Sequence, residues 1–573
     1  MKVRYDSEEQ PPTIAYFSME IGLEPKMPTY SGGLGVLAGD TLRAAADLSI
    51  PMVGISFLHR KGYFRQTLDE YGNQTEHSFD WEPSDYLEPL LNTVSIEIEG
   101  RKVKIRPWRF TIRGSTGFNV PVYFLDTKVE GNSDYDRSLT DYLYGGDLHY
   151  RLCQEAVLGL GGVSILRSIG LKKVQAYHMN EGHSALLGLA LLEEILGQRS
   201  LFYTQNTDLE KVKKRCIFTT HTPVPAGHDK FPLDLVKGVL GADRTKFLAS
   251  TPANIDNSLN MTSLALIFSW YVNGVSHRHE LISQTMFPDY PIDSITNGVH
   301  AMTWTSEPFQ RLYDKHMEEW REDSLYLRYA INIPLSEIIK THAEAKRLLL
   351  EEVKKRIGLV LAENVFTIGF ARRATAYKRV NLLFSDIERL RQIKRNVGGI
   401  QIIYAGKAHP HDEPGKELIR EIFRAARELK GEIPVVYLEG YDMALAKFLC
   451  SGVDLWLNTP KKPQEASGTS GMKAALNGIP SLSVLDGWWL EGHVEDVTGW
   501  SIVKTKEGGE ADSLYQKLEK KILPWYYNDP YKYAKIMRHA IALNGAFYTA
   551  QRMMYQYYKN AYLPTKNNHT GLK

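Results

Sequence analysis

Cysteine is scarce. Cys153, Cys216 and Cys450, three in a chain of 573 residues, are far apart and odd in number, which excludes a disulfide framework and a cysteine zinc cluster and fits a reducing compartment. A surplus of charge is also missing. With 69 basic against 67 acidic residues, no overall field attracts nucleic acid or an anionic membrane, so any cationic site has to be local. No uninterrupted apolar run is long enough to span a bilayer, and Met1-Lys2-Val3-Arg4-Tyr5-Asp6 lacks the apolar core of a signal peptide. A cytoplasmic protein is expected. Internal repeats, low-complexity tracts and coiled-coil heptads are absent as well, with only a polar tail after Pro564.

What the chain has is length and regular alternation. At 573 residues and 43% hydrophobic it buries large cores and divides into at least two domains. Apolar runs read as strands at Thr13 to Met19, Pro51 to Phe57, Lys173 to Met179, Cys216 to Thr220 and Pro291 to Thr296. Helical patterns fall between them at Thr41 to Leu48, from Tyr144 to near Gly170, and at Ala185 to Leu196 and Leu264 to Val272. Gly62 to about Asp126 instead shows short alternating runs, an antiparallel insertion. After a charged helix at Leu335 to Ile357, strands at Val365, Gly399, Val435, Asp454 and Pro480 alternate with helices, including one from Val380 to Arg391. Alternation of this kind predicts parallel, doubly wound sheets.

The chemistry concentrates in Glu465-Ala466-Ser467-Gly468-Thr469-Ser470-Gly471-Met472-Lys473, followed by the helix formers Ala474 to Asn477. Small residues before a helix leave backbone N–H groups free for an anion. Lys473, one turn in, can reach back toward it. A lysine shielded from water and set beside other cations loses proton affinity and can form a Schiff base. Pyridoxal phosphate is the common cofactor that carries both an aldehyde and a phosphate. The plain alternative is a flexible turn and a solvated lysine.

Three other stretches end strands. Tyr30 to Asp40 carries Gly32-Gly33-Leu34-Gly35, too far from its strand for a dinucleotide turn but open to an anion or a sugar. Arg372-Arg373-Ala374-Thr375-Ala376-Tyr377-Lys378-Arg379 places four cations in eight residues, against the dipole of the helix expected to follow, which suggests a bound anion. His178, His183, His221 and His228 lack compact ligand spacing, so no metal site is expected.

Taken together, these strings resemble the α-glucan phosphorylases (glycogen, starch and maltodextrin phosphorylases), most closely the compact prokaryotic members, from about Ile14 to about Asn544. Ser470-Gly471 stands where many members have Gly-Asn, Arg372 where the family has lysine, Thr375-Ala376 where it often has His-Glu, and Asp442 where an arginine often follows the tyrosine. The resemblance implies a GT-B-type α/β fold of two Rossmann-like domains facing across a cleft: residues 1–300 with the insertion near 60–126, residues 301–540 holding pyridoxal phosphate, and residues 541–573 crossing back. It implies that Lys473 anchors pyridoxal 5'-phosphate, with Thr469, Gly468, Tyr441 and Arg372 around it. Arg373, Lys378 and Gly33 hold the substrate phosphate, and His221 turns its backbone carbonyl to the scissile sugar. Leu34, Asn297, Glu465, Ser467 and Tyr377 contact substrate.

The activity implied is retaining phosphorolysis of an α-1,4-glucan or maltooligosaccharide by inorganic phosphate, giving α-D-glucose 1-phosphate, without the carboxylate pair of a glycosidase. A homodimer is compatible with the resemblance, and the lack of the longer members' N-terminal regulatory segment implies no phosphorylation switch. Two other readings stay open: a nucleotide-sugar-dependent glucan synthase of the same architecture, and a non-catalytic glucan-binding protein.

Overall fold

The computed structural model describes residues 13–224, 227–504 and 508–563. The N-terminal hexapeptide, Pro225-Ala226 and the tail from Pro564 lie outside the described residues. Two parallel sheets carry the architecture. The first holds β1 (Ile14–Ser18), β2 (Met52–Phe57), β3 (Asn119–Asp126), β4 (Ala176–Asn180), β5 (Cys216–Thr219), β6 (Tyr271–Gly274) and β7 (Asp293–Ser294), arranged β7-β6-β5-β4-β1-β2-β3. The second holds β8 (Phe366–Ala371), β9 (Ile400–Ala405), β10 (Val435–Leu438), β11 (Leu455–Asn458), β12 (Ser481–Val484) and β13 (Gly499–Ile502), arranged β10-β9-β8-β11-β12-β13. Numbered within each sheet, the strands named in the first run 3-2-1-4-5-6 with a seventh beyond the sixth, and the second runs 3-2-1-4-5-6, the doubly wound order. Its ligand position is the crevice beyond the carboxyl ends of the first and fourth strands. β1, β2, β8 and β9 are buried at every residue, as strands covered on both faces must be.

Several elements differ from the sequence expectation. Helix α1 (Gly33–Asp47) begins at the glycines, eight residues before the predicted Thr41. The glycines are packing residues there. A Cβ on Gly35 would meet Glu20 Oε2 at 2.6 Å, and one on Gly39 would meet the Gly22 carbonyl at 1.9 Å, so close approach to the segment after β1 outweighs their poor helix propensity.

The end of the predicted insertion, β3, is a full member of the main sheet. It runs parallel to β2 and antiparallel to Arg101–Arg113, and a run buried on both faces cannot show the alternation used to find it. The helix expected over Leu264 to Val272 stops at Phe268, and Tyr271–Gly274 becomes β6. Short apolar runs serve either state. The strand predicted over Pro291 to Thr296 shrinks to two residues, and Gly499–Ile502, unpredicted, completes the second sheet.

After β8 only single 3-10 turns form, at Ala376–Lys378 and Leu382–Phe384. The next helix starts at Ile387, capped by Asp386, rather than at Val380. The basic loop therefore opposes no helix dipole, and that part of the anion argument falls. Helix α2 (Leu335–Ile357) matches its predicted bounds. Near the end of the chain, α4 (Ala550–Tyr557), numbered after α3 (Ser470–Leu476), packs Met553, Met554 and Tyr557 into one cluster with Ile14, Tyr16 and Leu42 of the first sheet's region.

Candidate active site

The basic loop leaves β8 and the Glu465–Lys473 stretch leaves β11, the two strands flanking the order reversal in the second sheet. A carboxylate draws them together. Glu465 Oε2 accepts from Arg372 Nη2 at 2.8 Å and from Lys378 Nζ at 2.6 Å. Burial alone would raise the Glu465 pKa, but Lys378 and Arg372 overrule it and hold the carboxyl down at about 2. This pairing accounts for three residues that the sequence singled out separately.

Arg372 is left with spare capacity. Its Nε and Nη1 are buried without a hydrogen-bond partner, as are Thr375 Oγ1 and Ser467 Oγ. Orphaned buried donors cost about 1–3 kcal/mol each, a cost that an anionic ligand would remove. Tyr441 lies close enough to Arg372 to feel its charge, and the Lys378 ammonium sits 4.4 Å from the centre of the Tyr377 ring.

Lys473 is the fourth residue of α3, one turn in as predicted. Its surroundings differ from the expectation. Burial, not neighbouring cations, lowers its pKa, while Asp40 and the Cys450 thiol pull the other way. Its Nζ stands 3.7 Å over the Trp304 ring, whose indole N–H donates to Asp40 Oδ2 at 2.8 Å. Among the described residues no hydrogen bond reaches that Nζ. Gly468 takes φ +87°, the turn that brings Thr469 to the helix start.

On the first sheet, the carboxyl end of β1 leads to Glu20, which sequence reading passed over. Its Oε2 accepts from the Ser31 N–H at 2.5 Å and the Gly32 N–H at 3.3 Å, and its Oε1 accepts from the Tyr144 hydroxyl at 2.9 Å. Burial raises its pKa, and the Ser31 N–H and the Arg373 charge moderate the rise. Arg373 keeps exposed surface although burial works against its charge; Tyr63, Glu20 and Tyr144 more than compensate. Its guanidinium is thus crowded by polar side chains yet open to solvent. A Cβ on Gly32 would stand 3.4 Å from Arg373 Nη2, so the start of α1, with Gly33 and Leu34, faces the basic loop.

The carboxyl ends of β4 and β5 supply the uncharged part. His221 Nε2 bonds Asn180 Oδ1 at 2.6 Å, and its backbone N–H donates to Glu181 Oε2 at 2.8 Å. Burial keeps His221 neutral, with its pKa near 3, and lifts Glu181 to about 7. The other histidines of these strands and loops are separately engaged: His178 with Tyr562 and Thr219, His228 with Thr262, and His183 3.3 Å from Asp229. Asn297 is buried with Oδ1 unpartnered. Its carbonyl and that of Thr296 are gripped by Arg552 of α4 at 2.9 and 2.6 Å, a contact spanning some 255 residues of chain that no local pattern announces.

A desolvated amine and a partly unpaired guanidinium at the same sheet edge suit a ligand carrying an aldehyde and a phosphate, and pyridoxal phosphate fits both.

Among known proteins, a model of the carbohydrate phosphorylase family matches residues 241–499. Maltodextrin phosphorylase of Thermococcus litoralis is 36% identical over 97% of this chain and 71% of its own. Glycogen phosphorylase of Aquifex aeolicus is 34% identical over 98% and 87%, and that of Mycobacterium tuberculosis H37Rv is 35% identical over 97% and 71%. With similarity at this level along nearly its whole length, the chain belongs to the carbohydrate phosphorylase family and is an enzyme.

Proposed function

We propose that the enzyme catalyses phosphorolysis of α-1,4-glucans with retention, releasing α-D-glucose 1-phosphate, and that it depends on pyridoxal phosphate. The observation that carries this reading is the gathering of Arg372 and Lys378 on Glu465, with Arg372 donors to spare, at the start of the stretch that leads to the buried Lys473. The relatives, a maltodextrin phosphorylase and a glycogen phosphorylase, support the substrate class. On this reading residues 1–300 and 301–540 are two domains of a GT-B arrangement, residues 541–573 cross back to the first, and the sites of both sheets face a shared cleft.

Lys473 holds the coenzyme, with Arg372, Tyr441, Gly468 and Thr469 around it. When bound, the coenzyme supplies a phosphate able to give and take a proton. Arg373, Lys378 and the Gly33 end of α1 hold the substrate phosphate, a preorganised set of donors aimed at developing charge. The glycosidic bond breaks, the departing oxygen takes a proton from the substrate phosphate, and a phosphate oxygen bonds the anomeric carbon on the face the chain has left. His221, kept neutral by burial, and Asn297, with a free acceptor, present uncharged groups to the sugar, while Arg373 and Lys378 face phosphate. Leu34, Ser467 and Tyr377 complete the wall, and Glu465 holds Arg372 and Lys378 together by pairing with both.

Incubating the purified protein with maltooligosaccharides of graded length and inorganic phosphate should release glucose 1-phosphate. Release independent of phosphate, or none at any length, sinks the reading.

A further inference from the structure

Between β2 and β3, the strands Arg65–Leu68 and Gln74–His77 form an antiparallel hairpin. It grips the second sheet rather than the first. Leu68 packs against a small cluster of Ala374, Ala408 and Ile419. The Leu68 N–H donates to Glu439 Oε2 at 2.8 Å, Lys416 Nζ lies 3.1 Å from Glu76, and a Cβ on Gly72 would meet the Phe423 ring at 2.5 Å.

The centre of this grip is a pair of buried glutamine amides, 2% and 9% exposed. Gln74 treats Ala408 as a strand neighbour would: its Nε2 donates to the Ala408 carbonyl at 2.9 Å, and its Oε1 accepts the Ala408 N–H at 3.0 Å. Gln66 Nε2 donates to the Gly406 carbonyl and to Gln74 Oε1, both at 2.9 Å, and its Oε1 accepts the Gly440 N–H at 3.1 Å. Side chains that satisfy both backbone groups of a loop residue fix that residue in place, because slipping leaves buried polar groups unpaired.

The loop held in this way supports the arginines. The Ala374 N–H donates to the Lys407 carbonyl at 3.0 Å, and the Arg372 N–H to the Ala405 carbonyl at 3.1 Å. Gly406, at φ +152°, admits the Arg372 carbonyl to a point 2.0 Å from where a Cβ would stand. The chain Gln74–Ala408–Lys407–Ala374 ends one residue from Arg373, and Arg373 faces the start of α1, which belongs to the hairpin's own half of the chain.

We propose that Gln66 and Gln74 are positioning residues for the phosphate site, fixing the gap between Arg373 and the Gly33 end of α1. The inference rests on the phosphorolysis reading. It makes a selective claim, because the substrate phosphate is held from both sheets while the coenzyme residues Lys473, Arg372 and Tyr441 all belong to the second. Loosening Gln74, whose backbone contacts go to Ala408, should weaken phosphate and spare the coenzyme, whereas Gln66, bonded to Gly406 and Gly440 beside Arg372 and Tyr441, should touch both.

The test uses the holoenzyme. Gln74→Glu and Gln66→Glu keep the shape but turn a carboxylate oxygen on a carbonyl, and Gln74→Met keeps the size without the hydrogen bonds. In the Gln74 variants steady-state KM for phosphate should rise about tenfold, with KM for a maltooligosaccharide changed by less than about twofold and visible coenzyme absorbance intact; the Gln66 variant should raise phosphate KM and lower coenzyme content together. Independently of turnover, the rise in Tm that phosphate gives the wild type should shrink in the variants. Unchanged phosphate KM and Tm response would overturn the proposal. So would coenzyme content, kcat and both KM values failing together in all variants, which would assign the glutamines to stability alone. A wild-type protein that phosphate stabilises but that releases no glucose 1-phosphate would refute the phosphorolysis reading instead, leaving the Tm response to judge the glutamines.

Discussion

The two sheets share a strand order and differ in what they place at their carboxyl ends. The first offers neutral groups, His221 with its pKa pressed to about 3, His183 to about 4, and Asn297 with an open acceptor, backed by the wholly buried neutral His178, His59 and His279. The second offers Arg372, Arg373, Lys378 and Lys473, with Glu465 paired among them. One scaffold geometry thus builds a surface suited to an uncharged sugar and a surface suited to anions. The separation is physical. Burial strips the proton from a histidine, even from His183 beside Asp229, whereas an arginine keeps its charge and has to be matched. Glu20 stands on the border, its carboxylate filling the amides at the start of α1 and facing Arg373.

The most severe way to break the cationic side is Lys473→Ala. It should abolish visible coenzyme absorbance and lower phosphorolysis by about a thousandfold or more, while Tm with and without maltooligosaccharide still shows binding on the neutral side. A variant retaining both absorbance and rate would refute the assignment of Lys473. Next in size is Glu465→Gln, which leaves Arg372 and Lys378 buried without their counter-charge. Removing one partner of a buried pair costs about 3–5 kcal/mol. Urea unfolding should report the loss, and millimolar phosphate should restore part of it by taking the carboxylate's place. A variant as stable as the parent would show that the cations are matched elsewhere.

The motifs were legible because they are local. Lys473 one turn into a helix, four cations in eight residues and a glycine run each announce themselves within a dozen positions. What gives them their setting is distant in sequence and was not legible. Glu465 meets Arg372 93 residues away, Trp304 lies over Lys473 from another element, Arg552 fixes Asn297 from the far end, and Gln66 reaches Gly406 across 340 residues. The fold errors share a cause. α1 starts at glycines because they pack against the segment after β1, and β3 passed for part of an insertion because burial on both faces erases alternation.

Acid sharpens the comparison further, since the two sides should fail in different pH windows. His178, His59 and His279 have folded pKa values lowered to between about 3 and about 4, from 6.5. The unfolded chain binds more protons throughout that interval, so their contribution is complete above 6.5 and is lost as pH falls below it. Glu465, lowered from 4.5 to about 2, contributes above 4.5 and yields only as pH drops toward 2, a difference of about 3 kcal/mol. At pH 5, hydrogen exchange should therefore rise first in peptides covering 176–183 and 271–285, with 455–476 still protected. The reverse order would contradict the assignment of neutral and paired charges to the two sheets.

The smallest effect tests the neutral side alone. Asn297 is held by its backbone, its N–H on the Val275 carbonyl at 3.1 Å and its own carbonyl on Arg552 at 2.9 Å, so truncating the side chain leaves its placement intact. The side chain keeps a buried, unpaired Oδ1, a desolvation cost that a sugar hydroxyl would relieve. Asn297→Ala should therefore raise KM for maltooligosaccharide about tenfold, equivalent to about 1.4 kcal/mol, and leave KM for phosphate unchanged. Because the substitution also deletes an orphaned acceptor, Tm of the ligand-free protein should hold or rise slightly, unlike most buried polar-to-alanine changes. A Tm lower by several degrees with unaltered glucan KM would mean that the acceptor serves the fold, and the sugar-facing role would pass to His221 and its neighbours.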